Sequence, residues 1–90
     1  MITRESAVET IVRYVRENFM IDKQASLPLD RSLMEAGIID SYGAIDLVAF
    51  LETEFGITIA DDEITTENLG SIYKMADFAL NRKAESGGVH

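Results

Sequence analysis

The sequence has 90 residues, no cysteine and a formal net charge of −8 at pH 7. This length predicts one small domain, and the absence of thiols excludes a disulfide framework, a thiolate zinc site and a cysteine nucleophile supplied by the chain itself. The composition, 47% hydrophobic and 27% charged, is typical of a folded globular protein. No segment is apolar enough to span a membrane, and the first twenty residues are too charged for a signal peptide, so we expect a cytoplasmic protein with no membrane partner.

The first predicted element is an amphipathic helix near the N-terminus. Its apolar residues recur with the spacing of one helical face: Val8, Ile11, Val12, Val15 and Phe19. Thr3 or Ser6 is the expected N-cap, and Ser6 with Glu9 fits the spacing of a capping box.

A long loop is expected over residues 20–40, where the helical periodicity fades and the single proline occurs. Gly37 is expected to end one short helical turn in this loop by taking a left-handed conformation. Five apolar side chains are expected to anchor the loop against the rest of the molecule: Leu27, Leu29, Leu33, Met34 and Ile38.

The second predicted helix runs from Ser41 to Phe55, with Gly56 as its stop signal. The apolar stripe that would pack on the core consists of Ala44, Leu47, Val48, Leu51 and Phe55. A second stripe, called here the α2 stripe, lies roughly opposite and consists of Tyr42, Ile45 and Ala49, with Asp46 and Glu52 beside it. Either the α2 stripe is exposed and binds another protein, or the long loop covers it.

The remaining elements complete an all-α architecture. Residues 57–65 alternate like a strand, but a lone strand has no pairing partner, so we expect a loop and a short helical turn. A last helix is predicted to start near Ser71, with these side chains inward: Ile72, Met75, Ala76, Ala79 and Leu80. The whole is expected to be a small bundle of three to four helices with a long first loop, forming one domain over residues 1–83 and a flexible tail over 84–90.

The negative charge is concentrated in the middle of the chain. Residues 27–70 contain ten acidic residues and one basic residue, Arg31, for a net charge of −9, whereas the segments on either side are close to neutral. Such a field repels nucleic acid and anionic membrane surfaces and attracts a partner with a basic face. The alternative is that the excess of acid serves only to keep a small protein in solution.

Ser41 has two interpretations at the start of the second helix. It is either an N-cap or first-turn residue, with Asp40 as the other candidate cap, or an attachment point for a phosphate diester. The second interpretation is possible because the first turn of a helix presents unpaired N–H groups and the positive end of the dipole, and because Gly43 is expected to leave that turn open. A catalytic serine is disfavoured, since the single histidine is His90 in the tail and no G-x-S-x-G elbow occurs.

The acidic cluster of Asp61, Asp62 and Glu63 has the side-chain type that binds calcium. It lacks the spacing of the D-x-D-x-D-G-x5-E loop, so no metal site is predicted.

The stretch from Leu33 to Phe78 resembles the acyl carrier protein family, the phosphopantetheine-carrying domains of fatty acid, polyketide and nonribosomal peptide synthesis. The family's G-x-x-D-S motif, followed by a hydrophobic residue, is present as Gly37, Asp40, Ser41 and Tyr42. The later segments LETEFG, ITIADDE and ENLGSI follow in the family's order. The resemblance covers nearly the whole chain.

The resemblance implies a carrier and not an enzyme. Ser41 would accept 4′-phosphopantetheine from coenzyme A in a magnesium-dependent transfer by a separate phosphopantetheinyl transferase, and the thiol of the arm would hold the cargo as a thioester. Asp40 would help to bind the transferase and its metal. Further partners would be an acyl- or aminoacyl-loading ligase, synthases and transferases with basic docking faces, and the protein would act as a monomer. Their expected contacts are Tyr42, Ile45, Asp46, Ala49, Glu52, Asp61, Asp62 and Glu63.

Three departures from the family pattern favour a specialised carrier over a housekeeping one. Tyr42 replaces the usual leucine, Gly43 stands where an acid is common, and Thr53 interrupts the acidic end of the helix. The expected cargo is an unusual acyl chain, a polyketide or an aminoacyl group. Two alternatives remain at this point: an aminoacyl or peptidyl carrier loaded by an adenylating ligase, and a helical protein-interaction module that carries no prosthetic group.

Overall fold

The computed structural model describes residues 2–20, 22 and 24–87. Its four α-helices are α1 (Arg4–Phe19), α2 (Ser41–Phe55), α3 (Thr66–Leu69) and α4 (Ile72–Gly87), and a 3-10 turn spans Asp61–Glu63. No strand occurs in this described part of the chain. The predicted all-α bundle with a long first loop is therefore confirmed.

Helix α1 begins at a capping box that differs from the one expected. The Thr3 hydroxyl accepts the Ser6 N–H at 3.1 Å, and the Ser6 hydroxyl accepts the Thr3 N–H at 3.0 Å. Thr3 is thus the N-cap, and the Ser6–Glu9 pairing was wrong because the serine hydroxyl itself completes the box. The buried face of α1 is centred on Ala7, Ile11 and Val15, whereas Val8 and Val12 are only half-buried.

The core lies between α1, α2 and α4, and two leucines of the first loop reach into it. The fully buried side chains with the largest volume are Ile11, Leu51, Ile72 and Val15. Leu27 and Leu33 are buried as expected, and Leu29 and Ile38 are half-buried. Met34 is half-exposed, so its expected role as an anchor was wrong.

The loop ends in a Schellman turn immediately before α2. Gly37 has the left-handed φ of 77° that was expected. The Ile38 N–H donates to the Leu33 carbonyl at 2.9 Å, and the Gly37 N–H donates to the Met34 carbonyl at 3.0 Å. The turn ends three residues before Ser41, the first residue of α2.

Helix α2 has the bounds that the sequence predicts. Gly56 ends it with a φ of 65°, and the Gly56 N–H donates to the Glu52 carbonyl. Leu47, Leu51 and Phe55 of the predicted core-facing stripe are buried, and Ala44 and Val48 are half-buried.

The segment after α2 alternates because its isoleucines point inward, and it forms the expected loop and short turn. Ile57 and Ile59 are buried, while Thr58 between them is exposed. Arg82 of α4 holds this segment: its Nη1 donates to the Thr58 carbonyl at 2.8 Å, and its guanidinium forms an ion pair with Glu63.

Helix α4 starts where predicted and extends further than predicted. The Ser71 hydroxyl accepts the Lys74 N–H at 3.2 Å, as expected of a cap. The inward side chains Ile72, Met75, Ala76 and Ala79 are buried. The helix continues to Gly87, so the expected tail boundary at residue 84 falls inside it, while residues 88–90 lie outside the described residues. Among the described helices, none is long and apolar enough to cross a membrane.

Candidate functional site

The structure shows which of the two candidate residues, Asp40 or Ser41, caps helix α2. Asp40 is the N-cap, and its Oδ1 accepts the Gly43 N–H at 2.8 Å. Ser41 is the first helical residue and is exposed. Among the described residues, no side chain or backbone group forms a hydrogen bond with the Ser41 hydroxyl. The hydroxyl is therefore exposed to solvent at the positive end of the helix dipole.

The first turn of α2 is covered by neighbouring side chains at Gly43 and is not open there, contrary to expectation. The residue is buried, and a Cβ at this position would lie 3.1 Å from Ile39 Cβ and 3.2 Å from Phe19 Cε1. The expectation of an open turn was wrong because the end of α1 packs against α2 here. Glycine at this position allows the two helices to approach closely.

The α2 stripe is exposed, so the long loop does not cover it. The exposed fraction is 83% for Tyr42 and 68% for Ile45, and Ala49 is exposed as well. These three side chains stand on the same helix as Ser41, within its first three turns.

Asp46, which was expected to face partners, has an internal hydrogen bond. The Tyr14 hydroxyl donates to Asp46 Oδ2 at 2.6 Å, and the Tyr14 ring stacks on Phe50 with 3.8 Å between ring centroids. The hydrogen bond to the carboxylate, together with partial burial, raises the pKa of Tyr14 to about 12. This pair joins α1 to α2 beside the α2 stripe.

Glu52 and Glu63 also have partners inside the protein. Glu52 Oε2 accepts the Ile59 N–H at 2.9 Å. The hydrogen bond from Arg82, aided by the Ala60 N–H, lowers the pKa of Glu63. Asp61 and Asp62 are exposed, and their carboxylates have no hydrogen bond or ion pair within the described part of the chain. Three of the five acids expected to meet partners thus also stabilise the fold.

An apolar cavity between α2 and α3 is the feature that sequence reasoning missed. Its volume is about 180 Å³. Ile39 and Ala44, which flank the Asp40–Ser41 pair, are part of its wall. The rest of its apolar wall includes Leu33, Val48, Leu51, Ile64 and Leu69. The signal in the sequence was the half-buried edge of the core-facing stripe, Ala44 and Val48, opposite a helix as short as α3.

Comparison with known protein families shows to which family this chain belongs. The family model described as "Phosphopantetheine attachment site" matches residues 9–78, which is most of the chain. The chain belongs to the phosphopantetheine-binding acyl carrier protein family. The carrier's cofactor is covalently attached 4′-phosphopantetheine, and its family consists of carriers that interact with phosphopantetheinyl transferases and biosynthetic enzymes.

The similar proteins are all carrier proteins, but their names specify different cargoes. The carrier is 36% identical over 67 residues to a D-alanyl carrier protein of Streptococcus suis (strain 98HAH33), covering 74% of this chain and 82% of the relative. It is 31% identical over 83 residues to an acyl carrier protein of Tropheryma whipplei (strain Twist), covering 92% and 98%. A D-alanyl carrier protein of Streptococcus pyogenes serotype M1 is 30% identical over 70 residues, covering 78% and 86%.

The residues of the carrier fit the prosthetic group. An exposed serine hydroxyl with no described hydrogen-bond partner, at the first turn of a helix, suits a phosphodiester because the dipole favours the negative charge there. No cluster of three or more metal-ligating side chains is found in the described ranges.

Proposed function

We propose that Ser41 carries the phosphopantetheine arm and that the protein presents an acyl group, held as a thioester, to partner enzymes. The observation that supports this assignment is the exposed Ser41 hydroxyl at the N-terminus of α2, next to a separate cap residue, Asp40. In the transfer, the Ser41 oxygen bonds to the phosphate that bears the pantetheine, the pyrophosphate bond of coenzyme A breaks, and the hydroxyl proton passes to the transferase. The nucleotide bisphosphate leaves.

Intact-mass measurement tests the attachment site. Incubation with coenzyme A, magnesium and a broad-specificity transferase should add one phosphopantetheine to the wild type and none to Ser41→Ala. Ser26→Ala is the matched control, because Ser26 is also an exposed serine but lies in the first loop, and its loss should leave the reaction unchanged. A gain of mass by Ser41→Ala would refute the assignment. No gain of mass by the wild type would instead favour the alternative function, a helical protein-interaction module that carries no prosthetic group.

The cavity supports an apolar acyl cargo. An apolar cavity of about 150 Å³ accommodates a benzene molecule, so the 180 Å³ present here has room for a short hydrocarbon chain of about six carbons. The D-alanyl carrier relatives favour an aminoacyl cargo instead, which is small and polar and gains nothing from an apolar wall. An adenylating ligase would then be the loading partner.

The two cargoes are distinguished by their effect on unfolding. A hexanoyl thioester that enters the cavity should raise the melting temperature above that of the unloaded carrier, because it binds the folded state alone. An alanyl thioester should leave it unchanged. Ala44→Leu, which narrows the cavity, should abolish the hexanoyl effect. An equal response to both cargoes would contradict acyl binding, and the mass of the carrier isolated from its own cells would identify the natural cargo.

A further inference from the structure

We infer that the cargo is an acyl chain whose far end carries a carboxylate. The inference rests on the proposed attachment at Ser41 and on the proposed entry of the chain into the apolar cavity, and it names the chemical class of that chain. The end group lies in a second space of about 320 Å³, called here the polar recess, which shares part of its wall with the apolar cavity.

The polar recess lies beyond the apolar cavity as seen from the attachment site. Ser32, Thr66 and Gly70 line both spaces. Ile39 and Ala44, which flank the attachment site, line the apolar cavity alone. A chain that enters beside the attachment site therefore meets the apolar wall first, then the shared wall, and reaches the polar recess with its far end.

The volume of the apolar cavity sets the chain length at which the end group leaves it. The cavity of about 180 Å³ has room for about six carbons, so the end of a chain of about eight carbons lies at the shared wall. A methyl end group there gains nothing from polar neighbours. A polar end group exchanges its contacts with water for hydrogen bonds to the protein, so its burial costs little.

Two cationic side chains of the polar recess form no ion pair within the described part of the chain. Arg31 and Lys74 both line the recess, and both are exposed. The Lys74 ammonium donates to the Thr66 carbonyl at 3.4 Å, which is a long hydrogen bond to a neutral acceptor. Hydrogen bonds between a cation and a carboxylate are roughly twice as strong as neutral ones. An anionic end group therefore gains more from these two cations than their present contacts supply.

Two serine hydroxyls of the polar recess match a hydrogen-bond acceptor. Ser71 is only 4% exposed, and its Oγ accepts the Lys74 N–H at 3.2 Å. The Ser32 Oγ accepts the Glu35 N–H at 3.2 Å. Neither hydroxyl donates its own proton to any group that the structure describes. Because a carboxylate only accepts hydrogen bonds and an ammonium only donates them, a carboxylate is the end group that uses both protons.

Two acids also line the polar recess and define the competing end group, an amine. Asp30 and Glu35 are exposed, and with Arg31 and Lys74 they bring the formal charge of the recess to zero. The N-terminus of α4 adds a positive potential, and the first turn of this helix contains a lysine and no acid. The helix dipole and the two hydroxyl protons therefore favour a carboxylate over an amine.

Four chains of eight carbons provide the test: octanoyl, the monothioester of octanedioic acid, the methyl ester of that monothioester, and an octanoyl chain with a terminal amine. Each is transferred with its phosphopantetheine arm from the corresponding coenzyme A thioester to the full chain, and intact mass verifies the loading. The melting temperature is compared with that of the unloaded carrier. The octanedioyl carrier should melt about 4 °C above the octanoyl carrier, and the ester and the amine should not.

Substitutions locate the carboxylate. Lys74→Gln and Arg31→Gln should each remove about half of the extra shift of the octanedioyl carrier and leave the shift of the octanoyl carrier unchanged. Arg13→Gln is the matched control, because it removes one exposed cation of α1 that lines neither space, and it should keep the full shift. Every shift is taken against the unloaded form of the same variant, so each variant's own change in stability cancels.

The results that overturn the inference differ from those that overturn the proposed function. A shift for octanedioyl no larger than that for octanoyl or for the methyl ester, or a larger shift for the amine, would overturn the carboxylate. An equal loss with Arg13→Gln and Lys74→Gln would do the same, because it would show a general effect of charge. No shift with octanoyl would instead contradict entry of the cargo into the cavity, and no loading at Ser41 would contradict the attachment site.

Discussion

At the scale of single residues, the site depends on a division between two neighbouring polar side chains. Both Asp40 and Ser41 are good N-cap residues, so their types alone did not decide which one caps α2. The backbone decides it: Asp40 has an extended conformation, with φ −107° and ψ −170°, and its carboxylate accepts the Gly43 N–H. The cap residue thereby leaves the neighbouring hydroxyl available.

Substitutions of Asp40 should separate its capping role from its expected role in binding the transferase and its metal. Asn caps helices as well as Asp does, so Asp40→Asn should keep the wild-type free energy of unfolding, whereas Asp40→Ala should lose about 1 kcal/mol. Both variants lack the carboxylate, so both should slow modification of Ser41 by about tenfold, a typical effect of losing one charged contact. Urea unfolding and mass-monitored kinetics measure the two effects.

Asp40→Asn is the variant that distinguishes a role of the carboxylate in modification from a role in capping alone. A wild-type rate of modification in Asp40→Asn would show that Asp40 acts on Ser41 only by shaping the helix start. Unequal rates for the two variants, in proportion to their stabilities, would lead to the same conclusion.

At the scale of helices, the sequence predicted what local signals determine and missed what tertiary contacts determine. The bounds of α2 follow from a polar cap at one end and Gly56 at the other, and the sequence predicted both. The capping box of α1 was half right, because threonine and serine compete locally for that role. The burial of Gly43 was missed, since it depends on how closely α1 approaches α2.

The hydrogen bonds of Asp46 and Glu63 also depend on tertiary contacts, so the sequence did not predict them. Tyr14 and Asp46 are 32 positions apart, and Glu63 and Arg82 are 19 apart, so no local pattern predicts these pairs. The α2 stripe was predicted as exposed because it lies opposite a sufficient core-facing stripe, and its exposure is confirmed. The cavity was missed because it results from the poor fit between α2 and the short α3.

The Tyr14–Asp46 pair predicts a loss of stability at alkaline pH. The pKa of Tyr14, about 12, lies above the ordinary tyrosine value of about 10, so the folded state retains the proton more strongly than the unfolded state. The stabilisation is complete below about pH 10 and is lost as the pH rises through about 12. The free energy of unfolding of the wild type should therefore decline across this window relative to Tyr14→Phe.

Urea unfolding at closely spaced pH values measures this difference. Subtracting the Tyr14→Phe curve removes the contribution of every group that titrates identically in the two proteins. Asp46→Asn is the matched control, since it removes the charged acceptor and should reduce the decline. A difference between wild type and Tyr14→Phe that does not change with pH would contradict the pairing.

At the scale of the whole molecule, the charge is distributed unevenly and is only partly compensated. The net charge of −9 over residues 27–70 was evident from the sequence. Among the described residues, ion pairs join Arg4 to Asp77 and Arg82 to both Glu63 and Glu85, and of these only the Arg82–Glu63 pair neutralises an acid of that segment. Mutual repulsion among the remaining acids opposes folding, and the sequence alone did not show which acids were paired.

This repulsion predicts that salt stabilises the carrier. Screening lengths shorten from about 20 Å to about 6 Å between roughly 20 mM and 300 mM NaCl, so repulsion between exposed acids is largely removed. A gain of about 1 kcal/mol would raise the melting temperature of a domain of this size by about 4–8 °C. Thermal unfolding followed by circular dichroism at both salt concentrations measures the shift.

Two glutamates of the acidic segment should respond in opposite directions when their charge is removed. Glu54 is exposed in the last turn of α2, where the helix dipole disfavours an acid, and it has no described partner. Glu54→Gln should therefore raise the melting temperature at low salt and reduce the response to salt. Glu63→Gln removes the same charge but breaks the pair with Arg82, so it should lower the melting temperature at both concentrations. A fall in melting temperature with salt, or equal shifts for the two variants, would show that the acidic field does not limit the stability of the carrier.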